Sequence, residues 1–381
     1  MRMKIAVYIH IPYCKSKCIY CDFLSSPDLA ISPAKYLQAL ERELALRSRE
    51  LREAGAVVDT IYIGGGTPTV LSAVELSALL SACRTHLPLT SGAEWTVEVN
   101  PGTIDRPKAT VLRAGGVNRI SLGVQDSNDH RLALLGRIHT FAQAKQAFSL
   151  CREFFGSMSV DVISGLPGQK TADYAKTVRE LCAWQPDHFS LYGLKVEEGT
   201  RLAELLEEGE LTLPAEEETL TMMHQGREIL TAHGFEHYEL ANFAKPGHQS
   251  RHNLRYWENR PYLGLGLGAH SYWQNSRYCN TADLRLYQNA LLVGMLPPAA
   301  IHAVQKREEM EDTMMLGLRL IRGVSFKAFE RRFQVDLRML FATEIDGLVK
   351  RGLIECDLET IRLSRRGLPL ANLVFAEFIT A

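Results

Sequence analysis

A chain of 381 residues is too long for one compact core and suits two domains, one of them large. Apolar residues make up 46% and charged residues 23%, an ordinary balance for a soluble globular protein. Lys and Arg number 43 against 44 Asp and Glu, so the chain lacks the positive excess that binding bulk DNA or RNA requires.

In chain order, residues 1–4 followed by the short run 5–12 are too brief and interrupted for a secretory signal. The longest apolar stretch elsewhere, 290–301, is broken by Pro297 and Pro298 and cannot span a bilayer. A cytoplasmic protein is expected, with peripheral membrane contact left open. From residue 4 to about 192 short apolar runs alternate with helix-like stretches. Strands are expected at 4–11, 58–63, 94–99, 119–124, 159–163 and 188–192, rich in Val, Ile and Tyr and closed by Gly, Pro or Asn. Helices are expected at 33–53, 73–86, 142–155 and 171–184, with Ser32 and Ser72 as N-caps of the first two. Such alternation predicts an α/β fold with a parallel sheet. Six units fall short of the eight of a closed barrel, so a partial (β/α)6 barrel, open on one side, is expected.

Residues 197–218 hold nine Glu and one Arg and read as a solvated connecting face. A helix is expected at 220–233, and 235–305 mixes aromatic, glycine and short strand-like pieces with no clear period. Helices at 307–320, 326–333, 337–351 and 366–378, with strands at 353–356 and 360–363, predict a small winged-helix-like α+β module. The expected division is a barrel over 1–230, a connecting segment over 231–305 and a C-terminal domain over 306–381.

Eight cysteines occur, and three of them fall within eight residues as Cys14-x3-Cys18-x2-Cys21, directly after the first strand. Clustering of this kind reads as a metal or cluster site rather than a disulfide framework. The other five, at 83, 151, 182, 279 and 356, read as buried small apolar residues. Three thiolates on one short loop can each take one iron of a [4Fe–4S] cubane, which leaves the fourth iron open to a small chelating molecule. The amino and carboxylate groups of S-adenosylmethionine (SAM) suit that iron, and an electron from the cluster can break its S–C bond. Zinc, the rival, wants four ligands; His10 lies close in sequence but within an expected strand, and no second C-x2-C follows.

The C-x3-C-x2-C spacing with Tyr20 before the third cysteine resembles the radical SAM signature. The fuller string, Tyr8-Ile-His-Ile-Pro-Tyr-Cys14 through Cys21-Asp-Phe23, resembles the oxygen-independent coproporphyrinogen III oxidase family, and within it the heme-chaperone branch. The resemblance runs over nearly the whole chain. It implies a radical SAM barrel whose glycine motif, Gly64-Gly65-Gly66-Thr67-Pro68, receives the SAM amino group. It also implies that Tyr8, Gly65, Glu98 and His270 surround the cluster-bound SAM. Tyr20, Gly66, Thr67, Gln125, Arg137, Asp161 and Gly193 match positions around a second SAM site. Independently, Glu98, Asn100, Gln125, Asp126, Asp161 and Tyr192 lie in or at the end of expected parallel strands, where ligands bind in α/β folds.

The string Arg251-His252-Asn-Leu-Arg255-Tyr256-Trp257 is followed by a Gly-x-Gly-x-Gly-Ala-His270 run. Taken alone, His252 reads as a solvent-facing loop histidine. H-N-x-x-Y-W, however, resembles the motif associated with heme in the chaperone branch. That implies His252 as axial ligand, with His270 as its rival, Tyr256 and Trp257 against the macrocycle, and Arg251 and Arg255 toward its propionates. The oxidase branch carries a further cysteine two residues after the third, and here that position is Phe23. Its departure favours heme handling over propionate decarboxylation, and no catalytic side chain is assigned. Residues 319–381 hold eleven Lys and Arg against eight Asp and Glu, too mild an excess for a DNA-binding winged helix. The expected function is a heme chaperone that passes heme to acceptor heme proteins, respiratory-chain proteins among them, with a homodimer left open. The alternatives are a coproporphyrinogen III oxidase and a zinc-stabilised binding protein.

Overall fold

The computed structural model describes residues 2–379. Its first half follows the expected alternation. Strands β1 (Met3–Ile11), β2 (Ala56–Gly65), β3 (Leu89–Val99), β4 (Arg119–Gln125), β5 (Ser157–Ser164) and β6 (His188–Gly193) pair in that order, all parallel. They are buried on both faces, which is why they read as continuous Val/Ile runs rather than alternating ones. The helices Pro33–Glu53, Ala73–His86, Phe141–Phe154 and Thr171–Cys182 pack outside. Ser72 caps its helix, accepting from Glu75 N while the Glu75 side chain accepts from Ser72 N. Ser32 makes no side-chain cap; Pro33 at the first helical position starts that helix instead. A further helix, Arg106–Ala114, lies outside the expected set; Asp105 caps it, accepting from Lys108 N, and Pro107 stands in its first turn.

The largest departure lies in 231–305, which is no mere connector. It supplies β7 (Glu236–Glu239), β8 (Asn242–Ala244), β9 (Tyr262–Leu265), β10 (His270–Trp273), β11 (Ser276–Asn280) and β12 (Ala299–Ala303). The barrel sheet runs β12-β11-β10-β9-β1-β2-β3-β4-β5-β6-β8-β7. β9 is parallel to β1, so seven parallel strands lie together, flanked by antiparallel strands on both sides. The two edges, β12 and β7, do not pair with each other, and the barrel stays open.

A buried carboxylate joins this added flank to the first helix. Glu43 accepts from the Tyr287 hydroxyl (2.7 Å), Gly266 N (2.8 Å) and Asn280 Nδ2 (2.7 Å). Burial pushes its carboxyl above the ordinary range, and these three donors offset part of that cost. Glu43→Ala should strand three buried donors and lower stability by about 3 kcal/mol, measured by urea unfolding.

The C-terminal domain has its own core, in which Phe329, Phe333, Phe341 and Phe378 are buried. Its three-stranded sheet, β13 (Val324–Ser325), β15 (Thr360–Leu363) and β14 (Ile354–Cys356), and its short helices match the expected module. The domain docks on the barrel through Arg319, whose guanidinium lies 4.3 Å from the Trp257 ring, and through Arg332, which donates to the Glu258 and Asn259 carbonyls. Among the described residues no helix is long and apolar enough to cross a membrane.

Candidate functional site

The loop after β1 is pinned at several points. Cys14 N donates to Ser26 O (3.2 Å), Ser26 N to Pro12 O (3.0 Å) and Ile19 N to Leu135 O (3.1 Å). Cys14, Cys18 and Cys21 are free, partly exposed thiols, and all three line one cavity of about 340 Å³ at the carboxyl ends of the parallel strands. Of the scattered cysteines, Cys83, Cys151 and Cys182 are buried as expected. Cys279 is only partly covered and Cys356 is exposed.

The glycine run seats this loop. Gly66 N donates to Ile11 O (2.8 Å), and a Cβ at Gly66 would approach Tyr13 O to 2.5 Å. Gly65 has φ +104°, and a Cβ there would strike the His10 ring at 2.3 Å. Both glycines are therefore required for close packing around the thiols, quite apart from any ligand. The Thr67 hydroxyl reaches Cys14 Sγ (3.8 Å) and Arg137 Nη1 reaches Cys18 Sγ (3.5 Å).

The same cavity gathers Tyr20, Gly65, Gly66, Thr67, Glu98, Gln125, Arg137, Asp161 and Gly193. Glu98 accepts from the Tyr62 hydroxyl (2.9 Å) and from Gly65 N (3.1 Å). Desolvation pushes its carboxyl up to about 7, with Asp161 adding like-charge repulsion. Asp161 accepts from the Ser121 hydroxyl (3.1 Å), and its carboxyl is pushed up to about 6 by burial. Gln125 holds a left-handed φ of 72°, a strained conformation at the cavity wall. Tyr62 and Ser121 carry no signal of their own in the sequence, where each reads as an ordinary strand residue. Asp126, a strand-end candidate, instead forms a buried ion pair with Arg131 (2.5 Å).

Tyr8 and His270 line a second cavity of about 650 Å³, which shares Phe23, Gly65 and Glu98 with the first. Its walls include Tyr256, Trp257, Tyr262, Arg260 and Arg277, and Phe23 is 58% exposed between the two cavities. His270 is exposed. His252 is not a solvent-facing histidine: it is 1% exposed, with Nδ1 2.9 Å from Thr60 Oγ1 and Nε2 2.8 Å from the Tyr256 hydroxyl. Burial, with Arg255 nearby, holds its imidazole down at about 3, so it stays neutral. Arg251 and Arg255 do not line this cavity. Both pair with Asp59, where a buried carboxylate needs a cation.

The donor set fits an iron–sulfur cubane better than zinc. Three thiols share one cavity, no fourth cysteine and no histidine lines it, and Arg137 Nε lies buried beside them without a partner. Among the described residues no three His, Cys, Asp or Glu side chains close on one ion position, as zinc would need. A cubane takes one thiolate at each of three separate irons. His10 is spoken for, bonded to Leu24 O (2.8 Å) and the Tyr8 hydroxyl (3.1 Å).

Comparison with known proteins bears on the family and the fold. Residues 8–181 match the radical SAM superfamily and residues 304–370 match the HemN C-terminal domain. The chain is 35% identical to the heme chaperone HemW of Bacillus subtilis over 376 residues, 98% of this chain and 99% of that one. It is 39% identical to HemW of Escherichia coli over 269 residues, 70% of this chain and 69% of that one. Its fold superposes on coproporphyrinogen III oxidase (HemN) from Escherichia coli with a TM-score of 0.86 at 24% identity, covering 100% of this chain and 90% of that one.

Proposed function

This chain belongs to the HemW heme-chaperone family of radical SAM proteins, and from that membership we propose that it binds heme and transfers it to acceptor apoproteins. A [4Fe–4S] cluster and SAM are its resident cofactors. Cys14, Cys18 and Cys21 are the residues we assign to the cluster. Glu98, Gly65 and Tyr8, which all line the larger cavity, would hold the SAM beside it, so that SAM and heme would share the walls of that cavity, and Arg137, Gln125, Thr67 and Asp161 would hold a second SAM. When bound, the cluster supplies an electron that can cleave the sulfonium of SAM.

The single observation that carries the heme assignment is the pair of adjoining cavities. The larger, at about 650 Å³, falls within the range of roughly 300–1,000 Å³ that ligand sites span. It offers flat aromatic walls at Phe23, Tyr262 and Trp257, a guanidinium at Arg260 for a propionate, and imidazoles at or behind its surface. Burial first, and then repulsion from Arg332, Arg255 and Arg331 with Glu258 opposing it, lowers the pKa of Arg260. A carboxylate placed there would relieve that repulsion. Arg260 thus takes the part expected of Arg251 and Arg255, while Arg277 lines the cavity with its guanidinium paired to Asp312 at 2.6 Å. We assign the axial ligand to His252, with His270 as its rival; His10 also lines the cavity but is bonded to Leu24 O and the Tyr8 hydroxyl.

Phe23, standing where the oxidase branch has a cysteine, puts an apolar ring between the thiols and the heme cavity. This arrangement favours carrying over decarboxylation. The finer parts of the proposal are a cytoplasmic location, a homodimer, and acceptors in the respiratory chain reached by peripheral contact with the membrane. The experiment is transfer: heme-loaded chain mixed with an apo-heme protein should move its Soret band to that of the acceptor at a rate faster than free heme release. Transfer no faster than release would refute the chaperone reading.

A further inference from the structure

The short helix Arg251–Trp257 puts His252 and Tyr256 at i and i+4, one above the other on the same face. The Tyr256 hydroxyl is 2.8 Å from His252 Nε2, and the two rings meet edge to face at 5.0 Å and 89°. Tyr256 lines the 650 Å³ cavity and His252 does not. One side chain therefore separates the imidazole from the cavity. Behind the imidazole, Thr60 Oγ1 holds Nδ1 at 2.9 Å and the Tyr62 ring lies 5.3 Å away. The ring is thereby fixed with Nε2 aimed at the Tyr256 side.

The end of the helix is held as well. Asn259 follows in a left-handed conformation (φ 48°), its Nδ2 donates to Glu309 O and Thr313 Oγ1, and Arg332 donates to its carbonyl at 2.8 Å. With the backbone clamped to the C-terminal domain, exposing His252 falls to a rotation of the Tyr256 side chain. That ring rests edge-on against Tyr262 at 4.6 Å, itself on the cavity wall.

We propose that Tyr256 is a latch on the heme ligand: its hydroxyl occupies the Nε2 lone pair of His252 in the empty protein, and must swing away before a heme in the cavity can take that nitrogen. The proposal rests on the heme reading above. In the tautomer ligation requires, Nδ1–H donates to Thr60 and Nε2 accepts from the tyrosine O–H. A heme iron would then take the freed Nε2 in place of a bound water, and the tyrosine hydroxyl would keep its proton. No electron moves. The return of Tyr256 competes with iron for the same lone pair, which weakens heme holding and speeds release. A carrier needs both, whereas a heme enzyme that keeps its cofactor does not. Tyr256 is a positioning residue here, acting through His252.

The test is ferric heme titration and stopped-flow release from the full chain to apomyoglobin. Tyr256→Phe removes the competing hydroxyl and keeps the ring. It should tighten heme binding by about two- to tenfold, the value of one net hydrogen bond, and slow release by a similar factor. The imidazole-ligated spectrum should stay unchanged. His252→Gln, chosen to spare the buried packing, should lose that spectrum while the chain stays folded by circular dichroism. The latch is overturned if Tyr256→Phe leaves both affinity and release rate at native values. It is equally overturned if the imidazole signature survives His252→Gln, because another residue is then the ligand. A native chain that takes up no heme at all sinks the heme reading itself, an outcome separate from either of these.

Discussion

Replacing Cys18 by serine is expected to reduce the iron of anaerobically reconstituted protein from about four per chain to less than one, with loss of the brown absorbance. Three thiolates are the whole protein ligand set in the first cavity, with no fourth cysteine and no histidine on its walls to substitute. Removing one leaves two irons of a cubane without protein donors. Cys18 is also the thiol that Arg137 approaches at 3.5 Å, so its loss leaves that guanidinium beside a neutral hydroxyl. Folding should survive, because the loop is pinned by backbone bonds from Cys14 N, Ile19 N and Leu202 N rather than by the sulfurs. Iron and sulfide analysis beside a thermal melt checks both halves. A Cys18→Ser protein that keeps about four irons would show that the cluster is held elsewhere.

The second large effect concerns Glu98. Its carboxyl is raised from the ordinary value of 4.5 to about 7, chiefly by desolvation. A carboxyl raised in the folded state contributes stability that is complete below about 4.5 and is lost as pH rises through about 7. The cofactor-free protein should therefore weaken between those values, and Asp161, raised to about 6, acts in the same direction over a lower window. Glu98→Gln removes the titration. At pH 8 it should stabilise the cofactor-free chain by about 2 kcal/mol, less than the full shift implies because water enters the cavity. The same change should weaken SAM at least about tenfold, since a neutral amide no longer faces the cationic ligand. In the native chain SAM affinity should rise with pH through about 7, as the carboxylate ionises. Melts and SAM titrations at pH 6 and pH 8 test this. A Glu98→Gln chain less stable than native at pH 8, with SAM affinity intact, would remove Glu98 from the site.

Much of this architecture was legible because parallel strands buried on both faces leave long Val/Ile runs. β1 to β6 stand within a few residues of where those runs lie. The cysteine loop was legible for the same reason that it works, its spacing being local. The region 235–305 was not. Its strands are three to five residues long and most lie toward the sheet's flanks, too short for a period to emerge. Side-chain direction in the heme motif was also out of reach. Arg255 turns to Asp59, 196 positions away, and His252 to Thr60, 192 positions away. No local pattern predicts such partners. Only the i, i+4 relation of His252 and Tyr256 was available in the chain, and it makes sense once the histidine is seen to be buried.

In the proposed function a cluster and a heme occupy adjoining cavities of one chain. Anaerobic reconstitution with ferrous iron, sulfide and heme, followed by measurement of all three per chain, is the most direct test. The account predicts about four non-heme irons, about four sulfides and one heme on the same chain, with loss of the non-heme iron in Cys18→Ser. Zinc without sulfide, or a complete cluster on a chain that takes up no heme, would contradict it.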